Sequence, residues 1–517
     1  MINKDKLEKF EKFANQFVFY LLAFFTGLAA FSYLFVRAEV SLIYSEDGRF
    51  VWGSYKAWIG MLIVGTCLLV SAKWLKKIST GRLWTILALV TFSFGLYVIC
   101  FSKPFLKADA SSVYWGAMEI NHANYQSLLG YLKEYPHQLG LVTFERLILS
   151  VVPSIRFIRG VYLLLTIGSH YFLFKLCQLF FDREHLFMKY LTLLSFAFVP
   201  MLFFIMHVYG STPAIFFLTA SLYAFARYRL DKRMAFGLAS SILLVLAALV
   251  RMNYQIAVIA MLIVYLLEAL KRWSWKPFVQ ASLLLVMFIG ANKGVVAYYE
   301  SISGYSLNQG MPPTYHLAMG LQDGQQRFPG WYNGYNVSTY EKYKNDPEQM
   351  KAVGKRDLRK IIHYRLSHPR SSFIFFSKKW LSTWLEPTFQ SIWSGPIGSP
   401  ASVTFTKILN SIYNGGVLYK GLVIFLQALV WIIYGLTAFT GWSYRKIKNP
   451  LLKDIFLFIS LFFIGTNIFH IGWEAKAQYT FTHVYLLIPI AVQGLCLLMD
   501  YAGKKGYIGQ KDSPVEN

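Results

Sequence analysis

Long apolar runs separated by short polar joints set the pattern of this chain from about residue 16 to residue 500. The runs lack the period-2 alternation of half-buried strands and the single stripe of a surface helix. They are apolar all round and mostly ~17–25 residues long, the length a helix needs to cross the hydrocarbon core. The predicted spans cover about 16–36, 57–75, 83–101, 160–181, 190–207, 213–227, 234–250, 255–270, 278–297, 420–442, 455–471 and 483–500. The expected fold is therefore an all-α polytopic membrane protein with about twelve transmembrane helices. Two polar stretches are too long to be plain joints. Residues 1–297 read as a membrane domain that holds a first large loop at 102–159. Residues 298–419 read as a long outer loop with helices expected at about 347–366 and 370–385, the second lying in the interface. Residues 420–517 complete the membrane domain and add a tail.

Charge supplies the orientation. The formal net charge is +25, from 51 Lys and Arg against 26 Asp and Glu. Much of it sits in short joints: Lys73, Lys76, Lys77 and Arg82; Arg183 and Lys189; Arg227, Arg229, Lys232 and Arg233; Lys271, Arg272 and Lys276; Arg445, Lys446 and Lys448; Lys504 and Lys505. Every second joint is basic, as cytoplasmic joints are. This topological charge removes the case for nucleic-acid binding. It predicts a cell-membrane protein with both termini cytoplasmic and the 102–159 and 298–419 segments outside. The four cysteines lie inside apolar runs, so neither a disulfide framework nor a zinc site is expected. No glycine-rich phosphate loop, dinucleotide fingerprint or His-Glu-x-x-His occurs.

Candidate chemistry concentrates in the outer segments. Residues 107–145 place Asp109, Glu119, His122 and His137 among aromatics, with a Tyr135-Pro136 turn. Asp109 reads either as a helix N-cap or as a carboxylate available for proton transfer. Glu119 reads as a solvated helix face or as a second acid, and the histidines as structural groups or proton carriers. Arg251, beside Asn253 at an outer turn, either snorkels to headgroups or grips a phosphate with its planar fork. Glu474, Gln478 and Tyr479 open the last span as interfacial anchors or ligand contacts. The stretch from Lys351 to Lys379 carries nine Lys and Arg against Asp357 alone, which implies an anion nearby.

Several elements occur in order along most of the chain: Asp109 and the aromatic stretch to Ala123-Asn124-Tyr125; Tyr135-Pro136-His137-Gln138-Leu139-Gly140; Gly330-Trp331-Tyr332-Asn333-Gly334-Tyr335-Asn336; Trp384-Leu385-Glu386-Pro387-Thr388-Phe389; and Glu474-Ala475-Lys476-Ala477-Gln478-Tyr479. The set resembles the GT-C superfamily of polytopic glycosyltransferases, related to protein O-mannosyltransferases and bacterial lipid A sugar transferases, in its Gram-positive form. The resemblance implies transfer of a sugar from a polyprenyl-phosphate lipid to an extracytoplasmic glycan or protein acceptor, with inversion. It casts Asp109, with Glu119, as the catalytic acids. The implied substrate contacts are His137, Tyr135, Arg251, Asn253, Trp331, Lys378, Lys379, Glu474, Gln478 and Tyr479. Many members carry two nearly adjacent acids in this loop, whereas here Ala110 and Ser111 follow Asp109. A cofactor is therefore not assigned, and a divalent metal stays open. The alternative is a transporter or polymerase of lipid-linked oligosaccharides, which would place ionisable groups along a path through the membrane.

Overall fold

The computed structural model describes residues 4–42, 45–272, 274–307, 310–324, 326–397 and 404–501. Lys504 and Lys505 lie outside the described residues. Each predicted span coincides with helix. Among the described residues, nine helices are long and apolar enough to cross a membrane: Lys9–Tyr33, Tyr55–Leu75, Thr80–Cys100, Ile155–Gln178, Met252–Lys271, Trp275–Ser303, Val417–Trp442, Pro450–Gly472 and Phe481–Tyr501. The chain is thus a multi-pass membrane protein. The expected count of twelve is not reached on these criteria, for three local reasons. The fifth run is split into Leu186–Ala197 and Pro200–Met206, bent by 45°, and counts as a tenth span only if taken as one. Pro200 supplies no backbone N–H at that break. The next helix, Ser211–Asp231, falls short in apolarity. The seventh, Met234–Val250, has only 17 residues.

The up-and-down path sorts the joints into two ends. At one end the basic joints meet each other: Lys271 bonds Glu11 at 3.1 Å, Arg229 bonds Glu268 at 2.8 Å, and Lys189 lies 3.3 Å from Glu184. At the other end the polar segments knit together. Ser102 pairs with Thr404, Arg37 donates to Gln427 at 3.1 Å, and Thr143 bonds Tyr299 at 3.0 Å. Phe481–Tyr501 runs through the middle, with nearly every side chain buried.

Two elements at the polar end were not anticipated. The joint after the first span is a hairpin, Val36–Val40 against Gly48–Trp52, with Val36 opposite Trp52. Val36, Ala38 and Val40 alternate inward, and Ala38 donates its N–H to the Leu385 carbonyl at 3.0 Å. The second is the segment after the long-loop helices. Pro347–Ser367 and Pro369–Trp384 form as expected, broken at His368 and Pro369. Only the start of the second helix has an interfacial character, exposing Phe373 and Ile374. Its end is buried instead. Trp380 donates to Asn467 at 2.9 Å and the Trp384 ring packs 4.7 Å from Phe463 on a span. Residues 385–397 continue as a fully buried stretch that floors the polar end.

Candidate active site

A cavity of about 1120 Å³ opens at this polar end, lined by residues from both loops, the joint after the first span, and the ends of Met252–Lys271 and Pro450–Gly472 with the joints beside them. Its first carboxylate is Asp109. The Ala108–Asn121 helix starts two residues earlier than the capping reading requires: Lys107 is the N-cap, and Asp109 sits in the first turn. A carboxylate there is favoured by the helix dipole. Asp109 is accessible, but the surface it exposes lines the cavity. Enclosure raises its pKa from the usual carboxylate value, against the opposing pull of Lys476, a hydrogen bond from Tyr131, and Arg251, with Glu46 adding repulsion. That is the direction that makes a carboxylate a better proton acceptor near neutrality.

Cations surround it. Arg251 stands at the end of Met234–Val250, its guanidinium 4.6 Å from the Tyr209 ring and 5.1 Å from the Tyr479 ring. These two rings, with a hydrogen bond to the Tyr209 hydroxyl, hold the fork in place, and its other N–H groups face the cavity. Among the described residues no carboxylate lies within 4 Å of it. The stack depends on Gly210: a Cβ there would collide with the Val250 carbonyl, so only glycine lets Tyr209 approach Arg251 this closely. Lys476 donates to both carboxylate oxygens of buried Glu46 at 3.0 Å and lies 4.0 Å from Glu474. Lys107 is buried, hydrogen-bonds the Trp393 carbonyl and lies 3.7 Å from the Trp393 ring centre. Burial lowers its pKa to about 7.

The remaining predicted contacts divide. Tyr135, His137, Asn253, Glu474, Gln478 and Tyr479 line the same cavity as Asp109 and Arg251. Tyr479 donates to Glu474 at 3.2 Å, and burial raises the Glu474 pKa. Burial lowers His137 to about 3 and His316, across the cavity wall, to about 4. Both are therefore neutral imidazoles, suited to hydrogen bonding rather than to pairing with a phosphate as cations.

Four residues lie elsewhere. Glu119 is off the cavity, with Oε2 buried and unpartnered. Ten positions along a 3.6-residue helix turn it away from Asp109. Trp331 is fully buried and donates to Ser382 at 3.0 Å. Lys379 is buried and donates to the carbonyls of Gly320, Ile471 and Trp473 at 2.5, 3.0 and 2.8 Å. It ties the loop before Glu474 to Gly320, where a Cβ would clash with the Glu474 backbone. Lys378 lines a separate groove of about 600 Å³ with Arg370 and His368.

Sequence reasoning missed Glu46, Tyr131, Tyr209, His316 and Arg327, all of which line the cavity. The interruption of an apolar chain by Glu46 was visible, but nothing local pairs it with a lysine 430 positions away. Among the described residues no group of three or more His, Cys, Asp or Glu is placed to hold a metal ion. Compared with known families, curated proteins and solved structures, the chain matches none, so the geometry of the cavity carries the functional argument.

Proposed function

We propose that this protein is an integral membrane glycosyltransferase that moves a sugar from a polyprenyl-phosphate donor to an acceptor hydroxyl at the extracytoplasmic face. One observation carries the reading: a carboxylate with a raised pKa, Asp109, shares a cavity at the polar end of the spans with an arginine that no carboxylate neutralises among the described residues. The basic joints gather at the opposite end, which the positive-inside tendency assigns to the cytoplasm. In this reading the acceptor hydroxyl gives its proton to Asp109 as its oxygen bonds the anomeric carbon. The bond from that carbon to the phosphate oxygen breaks, its electron pair leaves on the phosphate, and Arg251 offsets the charge. Attack opposite the leaving phosphate inverts the anomeric centre. Neutral His137 and His316, with Tyr135 and Tyr332, offer hydrogen bonds and ring faces to the sugar.

The test is sugar transfer in membranes supplied with polyprenyl-phosphate sugar. Asp109→Asn preserves size and hydrogen bonding, so abundance should hold while transfer falls by the ~10²–10⁴ attributed to a lost general base. Full transfer by that variant would falsify the assignment.

A further inference from the structure

The structure separates the cations of the long outer loop into those used internally and those left outward. Arg365 is buried and donates to the Leu321 carbonyl at 2.9 and 3.1 Å, and Lys379 is spent on three carbonyls. Arg356 pairs with Asp357 at 3.0 Å. Lys351 is 61% exposed and meets only Glu348, at 3.4 Å and itself 89% exposed, a pair that solvent screens. Lys355, Arg359 and Lys360 are exposed and, among the described residues, have no carboxylate within 4 Å.

Lys351, Lys355 and Arg359 stand four apart on the Pro347–Ser367 helix. They form one outward ridge with a charge every ~6 Å. The ridge has a direction, because Lys351 and Lys355 line the cavity that holds Asp109, whereas Arg359, one turn further along the helix, does not. We propose that this ridge binds a polyanionic acceptor, a polymer with regularly spaced phosphates, and leads one of its hydroxyls to Asp109. The inference rests on the glycosyl-transfer reading and names its acceptor class. The spacing is apt. A polyol-phosphate chain repeats its charge every six or so backbone bonds, ~7 Å when extended, the reach of about two peptide residues. Inside the cavity Lys107, Arg251, Arg327 and Lys476 face as many carboxylates, Glu46, Asp109, Glu134 and Glu474, so the excess positive charge belongs to the ridge.

A bilayer surface is the competing occupant, and the apolar residues argue against it on this length of helix. A lipid-binding helix mixes large apolar side chains with its basic ones. Here the large exposed apolar residues, Ile362, Tyr364 and Leu366, are confined to the far half, and from Pro347 to Ile361 no apolar side chain larger than Ala352 is exposed.

The probe is a synthetic poly(glycerol phosphate), with neutral dextran as control, titrated onto the full-length protein in neutral-lipid nanodiscs. Wild type should bind the polymer but not dextran, and salt should weaken the binding. Lys355→Gln/Arg359→Gln should bind about tenfold more weakly at low ionic strength, with a shallower salt dependence. Lys73→Gln/Lys77→Gln removes the same charge at the opposite end and should bind as wild type does. Asp109→Asn should still bind. Unchanged binding by the ridge variant overturns the proposal, as does equal loss in the Lys73/Lys77 variant, which reduces the effect to net charge. A ridge effect seen only in discs of anionic lipid also overturns it and assigns the ridge to the bilayer. Because no turnover is needed, the ridge and the transfer reading fail separately: full transfer by Asp109→Asn sinks only the second.

Discussion

Lys476 binds both oxygens of Glu46 at 3.0 Å, joining the hairpin after the first span to the loop before the last across 430 positions of sequence. Both side chains are nearly buried, with 11% and 4% exposure, and Gln390 donates a third hydrogen bond to Glu46 at 3.3 Å. Glu46 also holds a left-handed backbone, φ 58°, which a non-glycine residue adopts at a cost. The pair closes one side of the cavity.

Breaking one partner of such a pair leaves a buried charge without its counter-ion, at a cost of about 3–5 kcal/mol. Glu46→Gln should therefore lower the thermal midpoint of the purified protein markedly. Glu46→Gln/Lys476→Met, which removes both charges, should recover much of that loss. A double variant as unstable as the single would show that the ion pair is not what holds the hairpin.

The pH dependence of transfer should carry the signature of Asp109. Its pKa is raised, so the ionised base is lost on acidification at a pH above the ordinary carboxylate range of ~4. The acid limb of kcat should accordingly lie above that range. The linkage runs the other way for stability: a raised acid is most stabilising when protonated and loses that contribution as pH rises through its folded pKa. Asp109→Asn should thus be at least as heat-stable as wild type at neutral pH, measured by thermal unfolding in detergent. A less stable variant would point to a structural carboxylate.

Arg251 separates charge from geometry. Lysine keeps the charge but loses the planar fork that stacks between Tyr209 and Tyr479. Arg251→Gln should depress transfer more than Arg251→Lys, with both variants expressed at wild-type levels. Near-normal transfer by both would remove Arg251 from the leaving-group site and move attention to Lys107 and Lys476.

Orientation is tested by labelling. Ser338 is exposed at the cavity end and Ser79 at the basic end. A cysteine at Ser338 should react with an impermeant thiol reagent in intact cells, and one at Ser79 only after lysis. The reverse pattern would turn the protein over and put the cavity in the cytoplasm.

The helices at the expected spans, their order and the basic joints were legible in the sequence because each is a local quantity, whereas the bend at Pro200 and the short Met234–Val250 helix were not. Twenty apolar residues in a row bury their own backbone polarity in a helix, and basic joints need no partner to be recognised. The long-loop helices at Pro347–Ser367 and Pro369–Trp384 were legible for the same reason, with His368 and Pro369 marking the break. Asp109, Arg251 and the Glu474 to Tyr479 turn were selected because a polar group at the end of an apolar run is costly and therefore conspicuous.

Tertiary structure alone decided which of those groups share a cavity. Lys378 and Lys379 show the limit: neighbours in sequence, they differ by 100° of helix rotation, so one lines a surface groove and the other is buried on three carbonyls. Glu119 and Asp109 part in the same way on their own helix. Glu46 and Lys476 meet only because spans far apart in the chain pack side by side, and Tyr209 meets Arg251 only because Ser211–Asp231 and Met234–Val250 pack antiparallel. No local pattern records that meeting, since the pairing is set by which helices pack together, and packing depends on the shapes of all the faces at once.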